Sequence, residues 1–130
     1  MTDFTNADVG KFGEEFCTKY VKKTKKYKIL GRNVSIGKLE VDIIATNGEY
    51  IIFIEVKTRR SDKNNYFRPS DAVDRNKRYN LINFANMYCK SLNKKHANKT
   101  PRIDVCEILV VAEKKLKVTD INYIENAVSR

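Results

Sequence analysis

The chain is poor in the residues on which several common kinds of site depend. Its 130 residues include one histidine, three cysteines and no tryptophan. His96 lies among lysines and asparagines, so we expect it at the surface, and a histidine-based catalytic triad has no support. Cys17, Cys89 and Cys106 are odd in number and lack Cys-x-x-Cys spacing. They favour neither a zinc site nor a disulfide framework and indicate buried, reduced thiols of a cytoplasmic protein.

Long apolar runs are also missing. No apolar stretch approaches the roughly 20 residues that cross a bilayer, and residues 1–5 lack the basic and apolar regions of a secretory leader. We find no internal repeat and no glycine-rich phosphate loop. We therefore expect a cytoplasmic protein without a membrane partner, folded as a single domain over residues 1–130.

Acidic residues are few relative to basic ones. The sequence has 26 Lys and Arg against 16 Asp and Glu, which gives a formal net charge of +10. Such an excess in a small domain favours a polyanionic partner, most often nucleic acid, although a generally basic, well-solvated surface is the plain alternative. The candidate contacts are basic residues in the segments 19–28 and 59–68, with one interleaved aromatic residue: Lys22, Lys23, Lys26, Arg59, Arg60, Tyr66 and Arg68.

The most informative segment present is a predicted β-hairpin over residues 39–59. Asn47-Gly48 separates two apolar runs, which is the strongest short-range signal for a hairpin with a two-residue type I′ turn. That turn predicts pairs whose numbers sum to 95, so that Glu40 faces Glu55 and Asp42 lies diagonal to it. Diagonal side chains are about 7–8 Å apart, close enough for one cation to bridge the carboxylates of Asp42 and Glu55.

Lys57 continues the same face, because side chains two apart on a strand share a face. A Glu-x-Lys pair at the end of a strand is often only a solvated edge. Here residues 51–54 are apolar on both faces, which indicates a buried central strand. The charged residues that continue this strand are therefore expected where the sheet opens into a cleft, and the pattern predicts a metal or catalytic site.

The remaining elements complete an α/β pattern. We predict a helix over 6–25 capped by Thr5 or Asn6, a strand near 28–33, a turn at Gly37, strands at 39–46 and 50–59, a helix from Ser70 to about residue 93, and a strand at 103–112. A short strand near 116–118 and a C-terminal helix after Asp120, with Ile121, Ile124 and Val128 inward, follow. The core stripe of the second helix is Val73, Leu81, Phe84, Ala85, Tyr88 and Leu92.

Two charged residues on these helices are further candidates. Glu14 lies at the margin of the apolar stripe of the first helix, whereas Glu15 lies on a solvated row, so Glu14 is the better inward acid. An ordinary glutamate favoured by the helix dipole is the alternative. Lys77 lies on the core stripe of the second helix, so it needs an acidic partner or a cleft, unless it merely extends from the helix end to solvent.

This order of elements resembles the restriction-endonuclease-like PD-(D/E)xK nucleases, an αβββαβ core with a mixed central sheet flanked by helices. More closely, the chain is similar to the YraN family of predicted endonucleases, related to archaeal Holliday-junction resolvases. The matching residues are Gly13-Glu14, Asn33, Gly37, residues 40–45, residues 53–59, Ala72-Val73, Lys77 and Arg102-Ile103-Asp104-Val105. Three places depart from the family pattern: Lys38-Leu39 intervene before Glu40, Phe67-Arg68 replace a loop glycine, and Cys17 or Thr18 stands where alanine is usual.

The resemblance implies a metal-dependent endonuclease acting on DNA, with branched or structured DNA of repair and recombination as an analogy from the fold. Asp42, Glu55 and the carbonyl of Val56 would hold Mg²⁺ or Mn²⁺, and Glu14 would complete the ligands directly or through water. Lys57 would orient or help to deprotonate the attacking water. Glu40 would support the ligands or bind a second metal, and Lys77 and Arg59 would contact phosphate.

Other readings remain beside this one. The chain would alternatively be a non-catalytic nucleic-acid-binding module, or a subunit active only with a protein partner of a repair or DNA-uptake complex. The resolvase likeness also implies a two-fold homodimer, since paired strand cuts need two sites.

Overall fold

The computed structural model describes residues 4–61, 75–91 and 96–128. Two helices and five strands make up this part of the chain: α1 (Asn6–Lys23), β1 (Lys28–Ile36), β2 (Leu39–Thr46), β3 (Tyr50–Arg60), α2 (Arg75–Lys90), β4 (Thr100–Ala112) and β5 (Leu116–Ile124). The strands form one sheet in the order β1-β2-β3-β4-β5. Strands β3 and β4 are parallel, and the other neighbours are antiparallel.

Each helix covers a different face of this sheet. Alternate residues of the central strands supply the two faces, because successive strand side chains point to opposite sides. Ile52 and Ile54 of β3 belong to the buried cluster that contains Val9, Cys17 and Val21 of α1. Ile51 and Phe53 of β3 belong instead to the cluster that contains Leu81, Phe84 and Ala85 of α2. The predicted αβββαβ core with a mixed sheet flanked by helices is therefore confirmed.

Helix α1 begins where the sequence places its cap. Thr5 Oγ1 accepts a hydrogen bond from the Asp8 backbone N–H at 3.0 Å, and Asp8 Oδ2 accepts one from the Thr5 backbone N–H at 2.9 Å. This reciprocal capping box satisfies two donors near the start of the helix. Of the two predicted caps, Thr5 is the correct one. The helix ends at Lys23, two residues before the predicted end.

The turn between β2 and β3 differs from the prediction. The observed partners, such as Thr46 with Ile51, have numbers that sum to 97, so four residues rather than two lie between the last pair. Of the two predicted turn residues only Gly48 has a positive φ, of 97°. The side chain of Asn47 instead accepts hydrogen bonds from the backbone N–H groups of Glu49 and Tyr50 at 3.0 and 2.8 Å. The predicted type I′ turn was therefore wrong, and the predicted register was shifted by two residues. Because the shift is even, each side chain stays on its predicted face of the sheet.

Helix α2 carries the predicted core stripe in its described part. Leu81, Phe84 and Ala85 are buried, and Tyr88 packs edge-on against Phe53 with ring centres 5.5 Å apart. The predicted cap Ser70 and the core positions Val73 and Leu92 lie outside the described residues. Neither α1 nor the described part of α2 is long and apolar enough to cross a membrane.

The C-terminal segment is where the structure differs most from the sequence prediction. Residues 116–124 form the single strand β5, which pairs with β4 from Ala112–Leu116 to Val105–Ile124. The predicted helix after Asp120 is therefore wrong, and the predicted short strand near 116–118 is only the start of β5. The last described residues stay beside β4, since the Ala127 backbone N–H donates to the Ile103 carbonyl at 2.8 Å, and Val128 is buried.

Candidate active site

The sheet forks between β2 and β3, and the candidate site lies at this fork. Pairing between the two strands stops at Ile43 and Ile54, while β3 continues to pair with β4 as far as Arg60. The Val56 backbone N–H, which no longer meets a carbonyl of β2, donates to Asp42 Oδ2 at 2.8 Å. The carboxylate of Asp42 thus terminates the ladder and lies between the two strands.

Glu55 lies beside Asp42 at the fork. Its side chain is buried, with 4% of the residue exposed. Burial, followed by the negative charge of Asp42 and a hydrogen bond with it, raises the pKa of Glu55 from 4.5 to about 7, against the opposing effect of Lys77 and Lys57. Two carboxyl groups so close in a buried site favour a shared proton or a bound cation. The corrected register therefore brings the two predicted acids closer than the diagonal arrangement would.

Lys77, which lies on the core stripe of α2, has an acidic partner at the fork. Its Nζ atom lies 3.4 Å from Glu55 Oε1, so the expected acidic partner is present. The ion pair joins α2 to the fork from the face opposite α1. A buried carboxylate next to another carboxylate needs such a compensating charge, because an isolated ion in the interior is costly.

Glu14 approaches the fork from the other face of the sheet. Burial, and then the negative charge of Asp42, raises the pKa of Glu14, while Arg32 and a hydrogen bond with Asn33 lower it. Asn33 has a φ of 50°, a left-handed conformation that asparagine tolerates better than most residues. Glu14 is half-buried and Glu15 is exposed. The prediction that Glu14 is the inward acid of α1 is therefore confirmed.

A close contact between α1 and β3 sets the position of Glu14. A Cβ atom built on Gly13 would lie 1.9 Å from Thr58 Oγ1 and 2.9 Å from Thr58 Cβ, so only glycine fits at this point. The helix can approach the strand closely here because Gly13 has no side chain. The next residue along the helix is Glu14, so this contact positions its carboxylate beside the fork.

The predicted acids form two neighbouring pairs that share Asp42. Glu55, on the α2 side, shares a hydrogen bond with Asp42, and Glu14, on the α1 side, lies close enough to Asp42 for their charges to interact. The exposed Glu40 is close enough to Glu14 for its charge to help raise the pKa of that group. Among the described residues, no three histidine, cysteine or acidic side chains converge as metal ligands. Mg²⁺ commonly uses only one or two carboxylates together with waters and substrate phosphate, so the Asp42–Glu55 pair and the Val56 carbonyl fit its chemistry.

A cavity of about 570 Å³ opens between the start of α1 and the end of β3. Positive and negative side chains both reach it, since Lys57, Arg59 and Arg60 line it together with Glu14. Arg60 also donates from Nη1 to the Phe4 carbonyl at 3.2 Å, which ties the strand end to the residues before α1. The mainly cationic wall beside the carboxylates suits a phosphate group.

The other predicted nucleic-acid contacts are not brought to this cavity. Lys22, Lys23 and Lys26 are exposed and lie at or just beyond the C-terminal end of α1, whereas the N-terminal half of that helix lines the cavity. Tyr66 and Arg68 lie outside the described residues. His96, expected at the surface, is half-buried. The thiols of Cys17 and Cys106 are buried as predicted, whereas Cys89 is half-buried.

The burial of two acids on β4 was not predicted from the sequence. Asp104 is fully buried and accepts two hydrogen bonds from the Arg102 guanidinium, both at 2.9 Å, and one from the Tyr123 hydroxyl at 2.6 Å. Glu107 is 2% exposed, accepts from Asn122 Nδ2 at 2.8 Å, and pairs in the parallel register with Lys57. An available signal was the presence of Asp and Glu within the otherwise apolar run 103–111.

Comparisons with known proteins agree on one family. The model of "Uncharacterised protein family UPF0102" matches residues 13–108. A UPF0102 protein of Caldanaerobacter subterraneus is 40% identical over 127 residues, covering 98% of this chain and 99% of the relative. Those of Caldicellulosiruptor saccharolyticus and Dictyoglomus thermophilum are 41% and 38% identical, over 92% and 94% of this chain and 96% and 98% of their own lengths. The residues that match the family model include α1 from Gly13 onwards, the fork and most of β4. The chain therefore belongs to the UPF0102 family.

Proposed function

We propose that this protein is a metal-dependent endonuclease that hydrolyses DNA phosphodiester bonds. The observation that carries the proposal is the buried Glu55 carboxylate beside Asp42 at a fork in the sheet, with Lys77 at 3.4 Å and Lys57 two residues along the same strand. This is the arrangement that the resemblance to PD-(D/E)xK nucleases implies. The net charge of +10 supports a polyanionic substrate.

The ligands would come from both strands of the fork. Asp42, Glu55 and the Val56 carbonyl would hold Mg²⁺ or Mn²⁺, and Glu14 would act through a water molecule. When bound, the metal supplies an acidified water and offsets negative charge on the phosphate. Lys77 forms an ion pair with Glu55. Lys77 would also contact the substrate phosphate.

The basic residues would position the scissile phosphate. Lys57 lines the cavity and would orient the attacking water and donate to a phosphate oxygen, where charge develops in the transition state. Arg59 and Arg60 line the same cavity and would contact neighbouring phosphates, which gives affinity without sequence specificity. The exposed Glu40 would help to raise the pKa of Glu14 rather than touch the reacting atoms.

Cleavage of a panel of labelled substrates tests the proposal. Duplex, single-stranded, flap and four-way-junction DNA, together with a matched RNA, would be incubated with the wild type and Mg²⁺ or Mn²⁺. We expect metal-dependent cutting that falls about 100-fold or more in Asp42→Asn and in Lys57→Ala, since each removes a group acting on developing charge. Lys114→Ala, a change at an exposed lysine of the β4–β5 turn, is the matched control. Cutting that is absent with both metals, or equal in all variants, would reject the nuclease proposal for the isolated chain.

A second function has one observation in its favour. Within the ranges that the structure describes, only pairs of acids meet at the fork, not a group of three. A nucleic-acid-binding module, or a subunit whose ligands are completed by a partner, would share this geometry. Such a protein would bind DNA with steep salt dependence but would neither cut it nor take up Mn²⁺. Calorimetric titration of Mn²⁺ into the wild type and Asp42→Asn separates the two, because only a nuclease site loses a binding event in the variant.

A further inference from the structure

The outward face of α2 combines an exposed aromatic ring with exposed basic side chains. Tyr79 is 66% exposed, and it and Met87 are the only large hydrophobic side chains strongly exposed within the described residues. Both lie on α2. An isolated exposed side chain is ordinary, but here the two large apolar side chains that are strongly exposed among the described residues lie on one helix, which indicates a binding surface.

The direction in which the Tyr79 side chain points follows from the ion pair between Lys77 and Glu55. Lys77 points inward to Glu55, and Tyr79 is two residues later, which is about 200° around an α-helix. Tyr79 therefore projects away from the sheet. Residues four before and eleven after it, Arg75 and Lys90, share that direction and are exposed. We call this surface, formed by Arg75, Tyr79 and Lys90, the outer face of α2.

The charge of α2 is of one sign. Its 16 residues contain four basic residues, Arg75, Lys77, Arg78 and Lys90, and no acidic residue. Lys77 is neutralised by Glu55, which leaves three cations on the solvent-facing surfaces of the helix. This pattern complements a polyanion, and an aromatic ring between cationic side chains complements a base whose flat face is free.

From this juxtaposition we infer that the outer face of α2 binds an unpaired nucleic-acid strand, with one base stacked on Tyr79 and phosphates held by Arg75 and Lys90. The inference deepens the proposed function, on which its nucleic-acid substrate rests, because it specifies a substrate with a single-stranded part. The inner face of the same helix reaches the fork through Lys77. The strand on the outer face would therefore pass over the helix that borders the candidate active site.

Binding measured without metal tests this inference separately from catalysis. A labelled 20-nucleotide deoxythymidine oligomer and a blunt 20-base-pair duplex would be titrated with protein in EDTA, and binding followed by fluorescence anisotropy. We expect Tyr79→Ala to weaken binding of the oligomer by about fivefold or more, as the loss of one stacked base predicts. Binding of the duplex should change less than twofold. Tyr79→Phe, which keeps the ring, should match the wild type.

A base analogue locates the stacked nucleotide. The fluorescence of 2-aminopurine placed within the oligomer should fall on binding the wild type and Tyr79→Phe, and much less on binding Tyr79→Ala. Unchanged oligomer binding in Tyr79→Ala would overturn the inference and would leave the outer face to a protein partner. Equal losses for oligomer and duplex would also overturn it. Either result leaves the nuclease proposal standing if the wild type cuts DNA with Mg²⁺ or Mn²⁺ in the cleavage assay.

Discussion

At the scale of single residues, the fork contains a carboxylate, Glu55, whose burial is energetically unfavourable for its charged form. Glu55 is buried beside Asp42, and burial contributes most to raising its pKa to about 7. A core filled by an apolar residue at this position would be more stable, since burying a charge costs free energy. Strained or destabilising groups of this kind occur disproportionately at functional sites. Glu55 is therefore a better marker of the site than the Glu-Val-Lys pattern alone.

The raised pKa of Glu55 predicts a pH-dependent cost in stability. Folded Glu55 keeps its proton up to about pH 7, whereas the unfolded side chain loses it near 4.5. The folded state binds more protons between these values, so the stability contribution of this group is lost as pH rises through that window. The Glu55→Gln variant should gain stability relative to the wild type between pH 4.5 and 8, by up to about 3 kcal/mol.

Urea unfolding in EDTA at several pH values measures this difference. Glu15→Gln, a change at an exposed glutamate of α1, is the control and should show no comparable trend. A constant difference between Glu55→Gln and the wild type across the range would show that Glu55 titrates normally. In that case the carboxylate pair at the fork would be more open to solvent than the structure has it.

At the scale of elements, the approach of α1 to β3 explains why Gly13 is glycine. Alanine favours a helix interior over glycine by about 0.5–1 kcal/mol. At Gly13 the added Cβ would lie 1.9 Å from Thr58 Oγ1, so the helix must move away from the strand that carries Lys57. At Gly10, in the same helix, a Cβ would meet nothing within 4 Å. The two glycines form a matched pair within one element.

We predict opposite effects of the same substitution at these two positions. Gly13→Ala should destabilise the protein by about 1–3 kcal/mol through overpacking, and Gly10→Ala should stabilise it by about 0.5–1 kcal/mol. Thermal and urea unfolding of both variants checks this, and Thr58→Ala in the Gly13→Ala background should restore part of the loss. Equal effects at the two positions would show that the Gly13–Thr58 contact does not limit the position of α1.

Element types were predictable from the sequence except where local irregularity altered the periodicity. In β5, Leu116 and Val118 face the α1 side, as do Ile121 and Tyr123. The pairing shifts between Leu109–Asp120 and Val110–Val118, which leaves Thr119 as an extra residue. This bulge places Val118 and Ile121, which share a face, three positions apart, and makes an alternating strand resemble a helix. The predicted C-terminal helix rested on the helical spacing of Ile121, Ile124 and Val128, but Ile121 packs on the α1 side of the sheet and Val128 on the α2 side.

The prediction of the site was less sensitive to local irregularities in the strands and to the exact register. The two-residue error in the hairpin register left Asp42 and Glu55 on neighbouring strands at one end of the sheet, because an even shift keeps every side chain on its face. What the sequence did not reveal is the fork, since the Val56 N–H to Asp42 hydrogen bond joins residues 14 positions apart. The burial of Arg102 was missed because its partners, Tyr27 and Asp104, include a residue 75 positions away.

At the scale of the whole molecule, the net charge of +10 is distributed over separate regions. One region is the cavity wall with Arg59 and Arg60, and another is the C-terminal end of α1 with Lys22 and Lys23. Gly10, which lines the cavity, is 12 residues from Lys22 along the helix, or about 18 Å at 1.5 Å per residue. This exceeds the screening length of about 8 Å at physiological salt, so the two regions act independently on a bound polyanion.

This separation predicts different salt dependences for two charge-removing variants. Each phosphate contact that is lost lowers the slope of log affinity against log salt by about one. Arg59→Gln should therefore reduce the slope for a 12-base-pair duplex, measured in EDTA, by about one and weaken binding. Lys22→Gln removes the same charge at the far end of α1 and should leave the slope unchanged. A similar decrease in both variants would mean that the duplex lies along α1 rather than across the fork, and the phosphate-binding role of the cavity would then have to be abandoned.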